Sequence, residues 1–399
     1  MRQTQAMLPS DTPAHHNPDS AATAATDTTA STVSSPTSAP RVALVYQFTH
    51  QRERGPLLGN PLLDLLQATR QSGSISGAAR QLGLSYRHVW GQLKEWEIEV
   101  GQPLILWDRG QAARLTPFAD KLLWAERLAQ ARLAPQIEAL RAELERALAS
   151  VFDERTQVLG LHASHDDALS ALQDLASQHA SLHLDIHFTG SVDAIRSLNE
   201  GRCQLAGFHT RQRPDRHSLT ARTYKPLLKP GKHKIIGFAL RQMGLMVAPG
   251  NPLRLHNLRQ VAQSQARYVN RPLGTGTRVL LDELLEDMGL SAESLNGYAH
   301  SQPSHAAVAQ AVANGQADVG LGSESAARAA GLGFAPLLLE RYQLVCLKSE
   351  LDSPAVLALR TLLATPEWAQ TLTRLPGYTP DASGAIQAMN RLLPWWAFR

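Results

Sequence analysis

Four short segments in the C-terminal part of the chain combine hydroxyls, glycines and basic side chains at the ends of strand-like runs. They read LHASHDDAL from residue 161, FTGSVDAI from 188, VNRPLGTGTRVLLDELL from 269 and SQPSHAAVAQ from 301. In each segment a strand runs directly into a helix start, where free N–H groups attract anions. These residue types predict a binding site for an anion or another polar small molecule.

Glycines at such a site let backbone N–H groups approach a ligand, threonines offer hydroxyls and arginines supply charge. The third segment provides all of these in Arg271, Gly274, Thr275, Gly276, Thr277 and Arg278. The other candidates are Ser164, His165, Thr189, Ser191, His209, Ser304 and His305. A hydroxyl at a helix start is more often a cap than a ligand contact, but four such sites at equivalent strand ends favour binding. Asp166 and Asp167 oppose a highly charged anion unless they face a helix N-terminus or solvent.

No catalytic arrangement accompanies these groups. Ser164, His165 and Asp166 are adjacent, so on a helix their side chains diverge, and no GxSxG elbow is present. The GTGTR run lacks the lysine of a phosphate-binding loop, and no GxGxxG follows a strand. Cys203 and Cys346 form no CxxC, and no histidines form HExxH. We therefore expect no enzyme, no metal and no cofactor.

A second kind of chemistry is indicated by Gly73 to Val100, which reads as a helix, a tight turn at Gly83 and a second helix. Leu84 is expected to fill the corner, and Val89, Leu93 and Trp96 to form the apolar face of the second helix. The outward side chains suit duplex DNA, because arginine can bind guanine, glutamine can bind adenine and hydroxyls can reach phosphate. The candidates are Ser74, Ser76, Ser85, Tyr86, Arg87, His88 and Gln92. An ordinary pair of packed helices is the alternative.

Flanking segments extend this helix pair. Pro61 to about Arg70 predicts a supporting helix, preceded by a short strand at Arg41–Phe48. Leu104–Trp107 and Arg114–Leu115 predict a β-hairpin wing that carries Arg109 and Arg114 towards DNA.

A long helix is expected to follow, from Thr116-Pro117 to about Leu148, with Pro135 kinking or breaking it. Its apolar stripe needs a partner, which is either a second copy of the chain, giving a homodimer or homotetramer, or the C-terminal half of the same chain.

Length and composition indicate the number of domains and the class of protein. The chain has 399 residues, 43% of them hydrophobic, and a formal net charge of +4, which fits two or three globular domains with a local basic patch. Residues 1–40 are rich in Ala, Thr, Ser and Pro, which predicts a disordered tail without a signal peptide. No apolar run is long enough to span a membrane. We expect a cytoplasmic protein with a helix-turn-helix at 41–116, a linker or dimerisation helix at 117–150 and a third domain at 151–399.

The third domain alternates strands and helices, which predicts an α/β sheet with parallel strands. Its strand-like pieces include Val158–Leu161, Leu182–Phe188, Gln204–Phe208, Ile235–Leu240, Leu245–Ala248, Tyr268–Val269, Ala317–Leu321, Phe334–Leu339 and Tyr342–Leu347. GLMVAPGNPL and ERYQLVCLK fit strands that cross between two lobes, so the domain is predicted to be a bilobal clamp.

Two family resemblances support this organisation. Residues about 57 to 125, with GSISGAARQLGLS, KEWEIEVGQPL and RLTPFADKLL, resemble the winged helix-turn-helix of LysR and ModE regulators, and SYRHVW is closer to ModE. Residues 158 to 348, with SHD, GNP, the NRPLGTGTR loop and ANGQADVGLG, resemble the periplasmic-binding-protein-like domain fused to ModE-type modules and to molybdopterin-biosynthesis proteins. The fold implied is an α/β protein with a winged helix-turn-helix, a long linker helix and a bilobal effector domain.

The resemblance implies a transcription regulator that binds operator DNA and senses molybdate, tungstate or a molybdenum-cofactor-related anion. Ligand binding is expected to close the lobes and move the DNA-binding domains through the linker helix. His165, His209 and Arg271 suggest a ligand larger than a bare tetrahedral oxyanion. The alternative is a ligand-independent repressor whose C-terminal half serves assembly or protein–protein interaction.

Overall fold

The computed structural model describes residues 60–106, 112–152, 157–178 and 182–396, without the side chains of 142, 143 and 145–152. All of them belong to one compact unit, Gln51–Arg399. The predicted tail at 1–40, the predicted strand Arg41–Phe48 and the candidate Arg109 lie outside the described residues.

Three helices form the predicted helix-turn-helix and its support: α1 (Pro61–Ser72), α2 (Ile75–Gln81) and α3 (Tyr86–Val100). Each begins after a capping residue, because the side chains of Asn60, Ser74 and Ser85 each accept a hydrogen bond from a first-turn N–H. Gly83 has a φ of +67°, which makes the positive-φ turn between α2 and α3. The local turn and cap signals of the sequence therefore set these elements.

The helix pair has its own apolar core. Ile75, Ala79, Val89 and Leu93 are buried, as their spacing predicts. The prediction that Leu84 fills the corner is wrong, since its side chain is 40% exposed. The backbone closes the turn instead, with the Leu84 N–H donating to the Ala79 carbonyl at 2.9 Å, and the side chain stays at the surface.

A small wing follows α3. Strands β1 (Ile105–Leu106) and β2 (Arg114–Leu115) pair antiparallel, and residues 107–111 between them lie outside the described residues. The Glu97 carboxylate of α3 accepts a hydrogen bond from the Leu104 N–H at 2.8 Å. This contact ties the start of the wing to the helix that precedes it.

Helix α4 (Pro117–Phe152) runs through Pro135 without a break. A proline inside a helix has no N–H to donate, so the carbonyl four residues earlier loses its partner. That carbonyl belongs to Ala131, and the Ser304 hydroxyl of the C-terminal half donates to it at 3.0 Å. Ala131 and Leu128 are buried. The middle of α4 therefore packs on the C-terminal half of the same chain. Dimerisation through this helix stays a prediction.

The C-terminal half contains one nine-stranded sheet flanked by helices. The strands are β3 (Gln157–Ala163), β4 (Leu182–Phe188), β5 (Leu205–Arg211), β6 (His233–Val247), β7 (Tyr268–Val269), β8 (Val319–Ser323), β9 (Gly333–Leu347), β10 (Tyr378–Pro380) and β11 (Ile386–Gln387). The helices are α5 (Asp167–Gln178), α6 (Ser191–Asn199), α7 (Leu219–Tyr224), α8 (Leu258–Ser264), α9 (Gly276–Asp287), α10 (His305–Ala313), α11 (Glu324–Ala329), α12 (Pro354–Leu363), α13 (Pro366–Thr373) and α14 (Met389–Leu392), with short 3₁₀ turns at Ala292–Ser294 and Lys348–Glu350.

Two lobes share this sheet, whose main path runs β4-β3-β5-β9-β6-β8-β7. Lobe 1 holds β3, β4 and β5, and its apolar cores involve α5, α12 and α13 in one cluster and α6, α7 and α14 in another. Lobe 2 holds β7 and β8 and has separate clusters under α8 with α9 and under α10 with α11. The long strands β6 and β9 pair antiparallel and cross both lobes, as predicted.

Two predictions about the sheet are wrong. The strands are mixed, since β3 is parallel to β4 and β5, whereas β9 is antiparallel to β5 and β6. The two pairs of strands expected near 235–248 and 334–347 are single strands, β6 and β9. Polar Arg241 and Glu340 interrupt the apolar runs, but they face each other in the β6–β9 register and continue the ladder.

Among the described residues, no helix has the length and apolar character needed to cross a membrane.

Candidate functional site

The first turn of α3 presents polar side chains to solvent. Ser85 caps the helix through the His88 N–H at 3.2 Å, and Tyr86, Arg87 and His88 are exposed. Gln92, one turn further on, is half-buried. Val89 and Leu93 lie in the core on the opposite face, which fixes the direction of the exposed residues.

The other residues predicted to contact DNA lie around α3. Ser74 uses its hydroxyl to cap α2, accepting a hydrogen bond from the Gly77 N–H at 2.9 Å. Ser76 is exposed on α2, and Arg114 is exposed on strand β2 of the wing. The DNA contacts of these residues stay a prediction.

The four predicted ligand segments meet at the junction between the lobes. On lobe 1, the Ser164 and Ser191 hydroxyls are 3.4 Å apart, and Ser191 Oγ lies 3.4 Å from His209 Nδ1. On lobe 2, Thr277 Oγ1 lies 3.3 Å from His305 Nε2. All five residues are buried, and we call this buried polar region between the two lobes the cleft.

Glycines let the two lobes touch across this cleft. A Cβ at Gly276 would lie only 3.1 Å from His209 Cβ, and one at Gly190 only 2.7 Å from the Gly274 carbonyl oxygen. Val192 at the start of α6 donates its N–H to that same carbonyl at 3.4 Å. Larger side chains at these positions would hold the lobes apart, so the close approach depends on glycine.

Arg271 supplies a positive charge at the cleft. It is 2% exposed, and one terminal nitrogen donates to the Gln302 carbonyl at 3.0 Å. Within the described part of the chain its Nε has no hydrogen-bond partner. Burial, and then the nearby Arg241, lowers the pKa of Arg271 to about 9. The guanidinium is therefore charged at neutral pH and suited to a negatively charged group.

Two histidines complete the polar lining. Burial, followed by the charges of Arg241 and Arg271, lowers the pKa of both His209 and His305 well below the usual value. The His209 ring stacks on Tyr342 with ring centroids 3.9 Å apart, and its Nε2 has no hydrogen-bond partner among the described residues. Both imidazoles are neutral at pH 7, so each can donate one hydrogen bond without adding charge.

A buried cluster of charged residues lies beside this lining. Arg241 Nε donates to Glu340 at 2.7 Å, and another of its nitrogens pairs with the Asp166 carboxylate. Asp166 also accepts the Tyr378 hydroxyl at 2.9 Å and caps α5 through the Ala168 N–H at 2.9 Å. Asp166 thus has cationic, hydroxyl and backbone partners, so its charge is compensated.

The second acidic residue of this segment bonds across the lobes, to helix α11. The Asp167 carboxylate bonds to the Ser325 hydroxyl, and burial, followed by the charge of Asp166, raises its pKa. Neither carboxylate therefore opposes an anion in the way the sequence suggested.

Sequence reasoning did not select Arg241, Glu340, Tyr342 or Tyr378 as site residues. Glu340 and Tyr342 are two positions apart and so share a face of β9, which was the available signal. Tyr378 belongs to the C-terminal segment that pairs with β6, and no local pattern connects it with Asp166.

Several predicted ligand residues have other partners. His165 Nε2 lies 3.2 Å from the Glu138 carboxylate of α4. Ser304 caps α10 and contacts Ala131, and Thr275 caps α9. Arg278 Nε donates to Asp282 at 3.2 Å, and its guanidinium stacks 4.0 Å from the Tyr298 ring centre. Thr189 is half-buried at the end of β4.

A helix-turn-helix with a wing, joined to a two-lobed sheet domain, defines the class of DNA-binding regulators with an effector domain. Residues 61–120 match the family described as bacterial regulatory helix-turn-helix protein, lysR family, and residues 172–364 match the PBP superfamily domain. The chain therefore combines a LysR-type helix-turn-helix with a PBP-like domain, which are the two parts of a ligand-responsive, DNA-binding transcription regulator.

Curated relatives cover different parts of the chain. The uncharacterized protein YvgK of Bacillus subtilis is 29% identical over 222 residues, which are 54% of this chain and 71% of that protein. An uncharacterized protein from the 5′ region of a Clostridium pasteurianum ferredoxin gene is 35% identical over 109 residues, 27% of this chain and 96% of that protein. The molybdenum-pterin-binding protein MopA of Rhodobacter capsulatus is 36% identical over 62 residues, 16% of this chain and 23% of that protein.

Two solved structures are also similar to this chain at low sequence identity. A BenM variant shares 14% identity with a TM-score of 0.40, covering 80% of this chain and 98% of that one. An OxyR variant of Corynebacterium glutamicum shares 18% identity with a TM-score of 0.37, covering 75% and 88%.

The neutral histidines predict a pH dependence of stability. Below the usual histidine pKa of about 6.5, the unfolded chain binds a proton that the buried His209 of the folded chain does not. The free energy of unfolding therefore falls as pH falls from 7 to 5, by up to about 1.4 kcal/mol per pH unit for each such group. Urea denaturation of His209→Gln at several pH values should give a shallower fall than wild type. His256→Gln, at an exposed histidine, is the control for removing an imidazole, and a wild-type slope in His209→Gln would refute this account of the site.

Proposed function

We propose that the cleft binds a compact oxyanion, molybdate or tungstate, and that the regulator reads DNA through the first turn of α3. The observation that carries the ligand proposal is the buried Arg271, whose Nε has no partner among the described residues. A buried cation without a carboxylate is destabilising unless an anion joins it. The cytoplasm, where chromosomal DNA is found, is the expected location.

We infer a small ligand from the close spacing of the polar side chains within each lobe. Ser164, Ser191 and His209 follow each other at 3.4 Å on one lobe, and Thr277 and His305 are 3.3 Å apart on the other. Hydroxyls, neutral imidazoles and one guanidinium can surround a small tetrahedral anion with donors. His165 contacts Glu138 instead of lining the cleft. Of the three residues that suggested a larger ligand, only His209 and Arg271 therefore line the cleft. Our choice of molybdate and of its analogue tungstate follows the partial similarity, over 62 residues, to a molybdenum-pterin-binding protein.

The exposed side chains at the start of α3 support the proposed DNA contact. Tyr86, Arg87 and His88 point away from the core at a helix N-terminus, where backbone N–H groups and the helix dipole favour phosphate. Arg87 is the side chain that can fork onto a guanine edge. A homodimer would present two such helices to the two halves of an operator.

Substitution of Arg271 separates ligand binding from folding. Because no carboxylate pairs with Arg271 among the described residues, Arg271→Gln should leave the melting temperature of the ligand-free chain unchanged or raise it. The same variant should lose the increase that molybdate or tungstate produces, which for wild type at a hundred-fold excess over Kd corresponds to about 2.7 kcal/mol.

Arg278→Gln, in the first turn of helix α9, is the matched control. It removes a contact with Asp282 and should therefore melt earlier while it keeps the ligand-induced increase. The panel should include sulfate, phosphate and pterin phosphates. If neither molybdate, tungstate nor any of these other anions stabilised the wild type, the anion proposal would be contradicted and the ligand-independent repressor would be left.

Substitution of Arg87 tests the DNA proposal. On a duplex selected from a random pool by the wild-type chain, Arg87→Ala should bind roughly tenfold or more weakly, while binding to unrelated duplex falls much less. Arg196→Ala removes the same charge from an exposed arginine of lobe 1 and should bind like wild type. Equal losses of affinity for both duplexes would mean that Arg87 contacts phosphate and does not read a base.

A further inference from the structure

Helix α4 contacts both lobes at the rim of the cleft. Its lobe 2 contacts come first, where Ala131 accepts the Ser304 hydroxyl at 3.0 Å and Arg132 Nε donates to the Gln302 side chain at 3.0 Å. Its lobe 1 contact follows, where Glu138 lies 3.2 Å from His165 Nε2. One continuous helix therefore joins two bodies whose separation depends on the cleft.

The contacts on lobe 2 connect α4 with residues that line the cleft. The Gln302 side chain accepts a hydrogen bond from Arg132, and the Gln302 backbone carbonyl accepts one from Arg271. Both hydrogen bonds are 3.0 Å long. Ser304, which bonds to Ala131, is followed directly by His305. A movement of Arg271 or His305 thus reaches α4 through one intervening residue.

The contact on lobe 1 is a buried charge contact. The Glu138 carboxylate also accepts the Ser170 hydroxyl of α5 at 3.3 Å. Burial alone would raise the pKa of Glu138, but His165, Arg141 and Ser170 together lower it. The carboxylate is therefore ionised at neutral pH and holds α4 to the segment that follows β3.

Pro135 lies between the two sets of contacts. Its missing N–H leaves the Ala131 carbonyl to Ser304, so the helix lacks one internal hydrogen bond at the point where it passes from lobe 2 to lobe 1. Such a position is where a helix bends most easily.

We propose that α4 is a strap across the cleft, anchored to lobe 2 at Ala131 and Arg132 and to lobe 1 at Glu138, which bends at Pro135 when the lobes move. The strap limits how far the two lobes can separate, because each lobe is held to the same helix. The inference relies on the proposed function only for the ligand that moves the lobes.

The Val192 N–H gives a direct measure of lobe separation, because its hydrogen bond to the Gly274 carbonyl crosses the cleft. Amide hydrogen exchange of the full chain is measured without ligand in wild type, Glu138→Gln and Arg132→Ala. Loss of either anchor should speed exchange at Val192 by about tenfold, as expected for losing a charge-assisted contact. Gln136→Ala, an exposed neighbour on α4, is the control and should exchange like wild type. Arg132 is exposed, so its variant keeps the test valid if Glu138→Gln folds poorly.

Unchanged Val192 exchange in both anchor variants would overturn the strap. The exchange experiment is made without ligand, so its result does not depend on whether molybdate binds. Failure of the ligand proposal is recorded separately by the melting experiments.

Discussion

The buried contact between Arg241, Glu340 and Asp166 is the interaction on which the arrangement of the cleft depends. Arg241 and Glu340 face each other on the two strands that cross both lobes, and Asp166 reaches them from the start of α5. Three charges buried together are tolerable only with close pairing and satisfied hydrogen bonds, which Tyr378 and the Ala168 N–H provide. Removing Arg241 would leave two buried carboxylates without their cation, so Arg241 holds the crossing strands, α5 and the C-terminal segment together.

This pairing determines the chemistry left to the cleft. Arg241 is paired with two carboxylates. Arg271, the other buried arginine beside the cleft histidines, has no carboxylate partner among the described residues. The same two arginines help to keep His209 and His305 neutral, so the lining has donors but only one uncompensated charge. Small residues at Gly190 and Gly276 then let the lobes meet around these groups. The proposed compact anion follows from that balance of charge and space.

Local signals predicted the elements better than the contacts between them. Ser74, Gly83 and Ser85 act within one turn of the chain, and their caps and positive φ follow from residue type. Local patterns predict each of the segments around Ser164, Ser191, Thr277 and His305 separately. That they lie near one another follows from their equivalent positions at the ends of strands. Arg241 and Glu340 were missed because pairing across 99 positions of sequence leaves no local pattern, and two charged residues inside apolar runs indicate breaks in a strand. The packing of α4 could not be decided either, since an apolar stripe does not specify its partner.

The account is tested most directly by locating the anion. Crystals of the full chain grown with sodium tungstate allow the tungsten atom to be placed by its anomalous scattering. We expect one strong peak in the cleft, within hydrogen-bond reach of the Arg271 guanidinium and of Ser191 and His209. A peak bound elsewhere on the chain, with the cleft empty at tungstate concentrations that saturate binding in solution, would contradict the account.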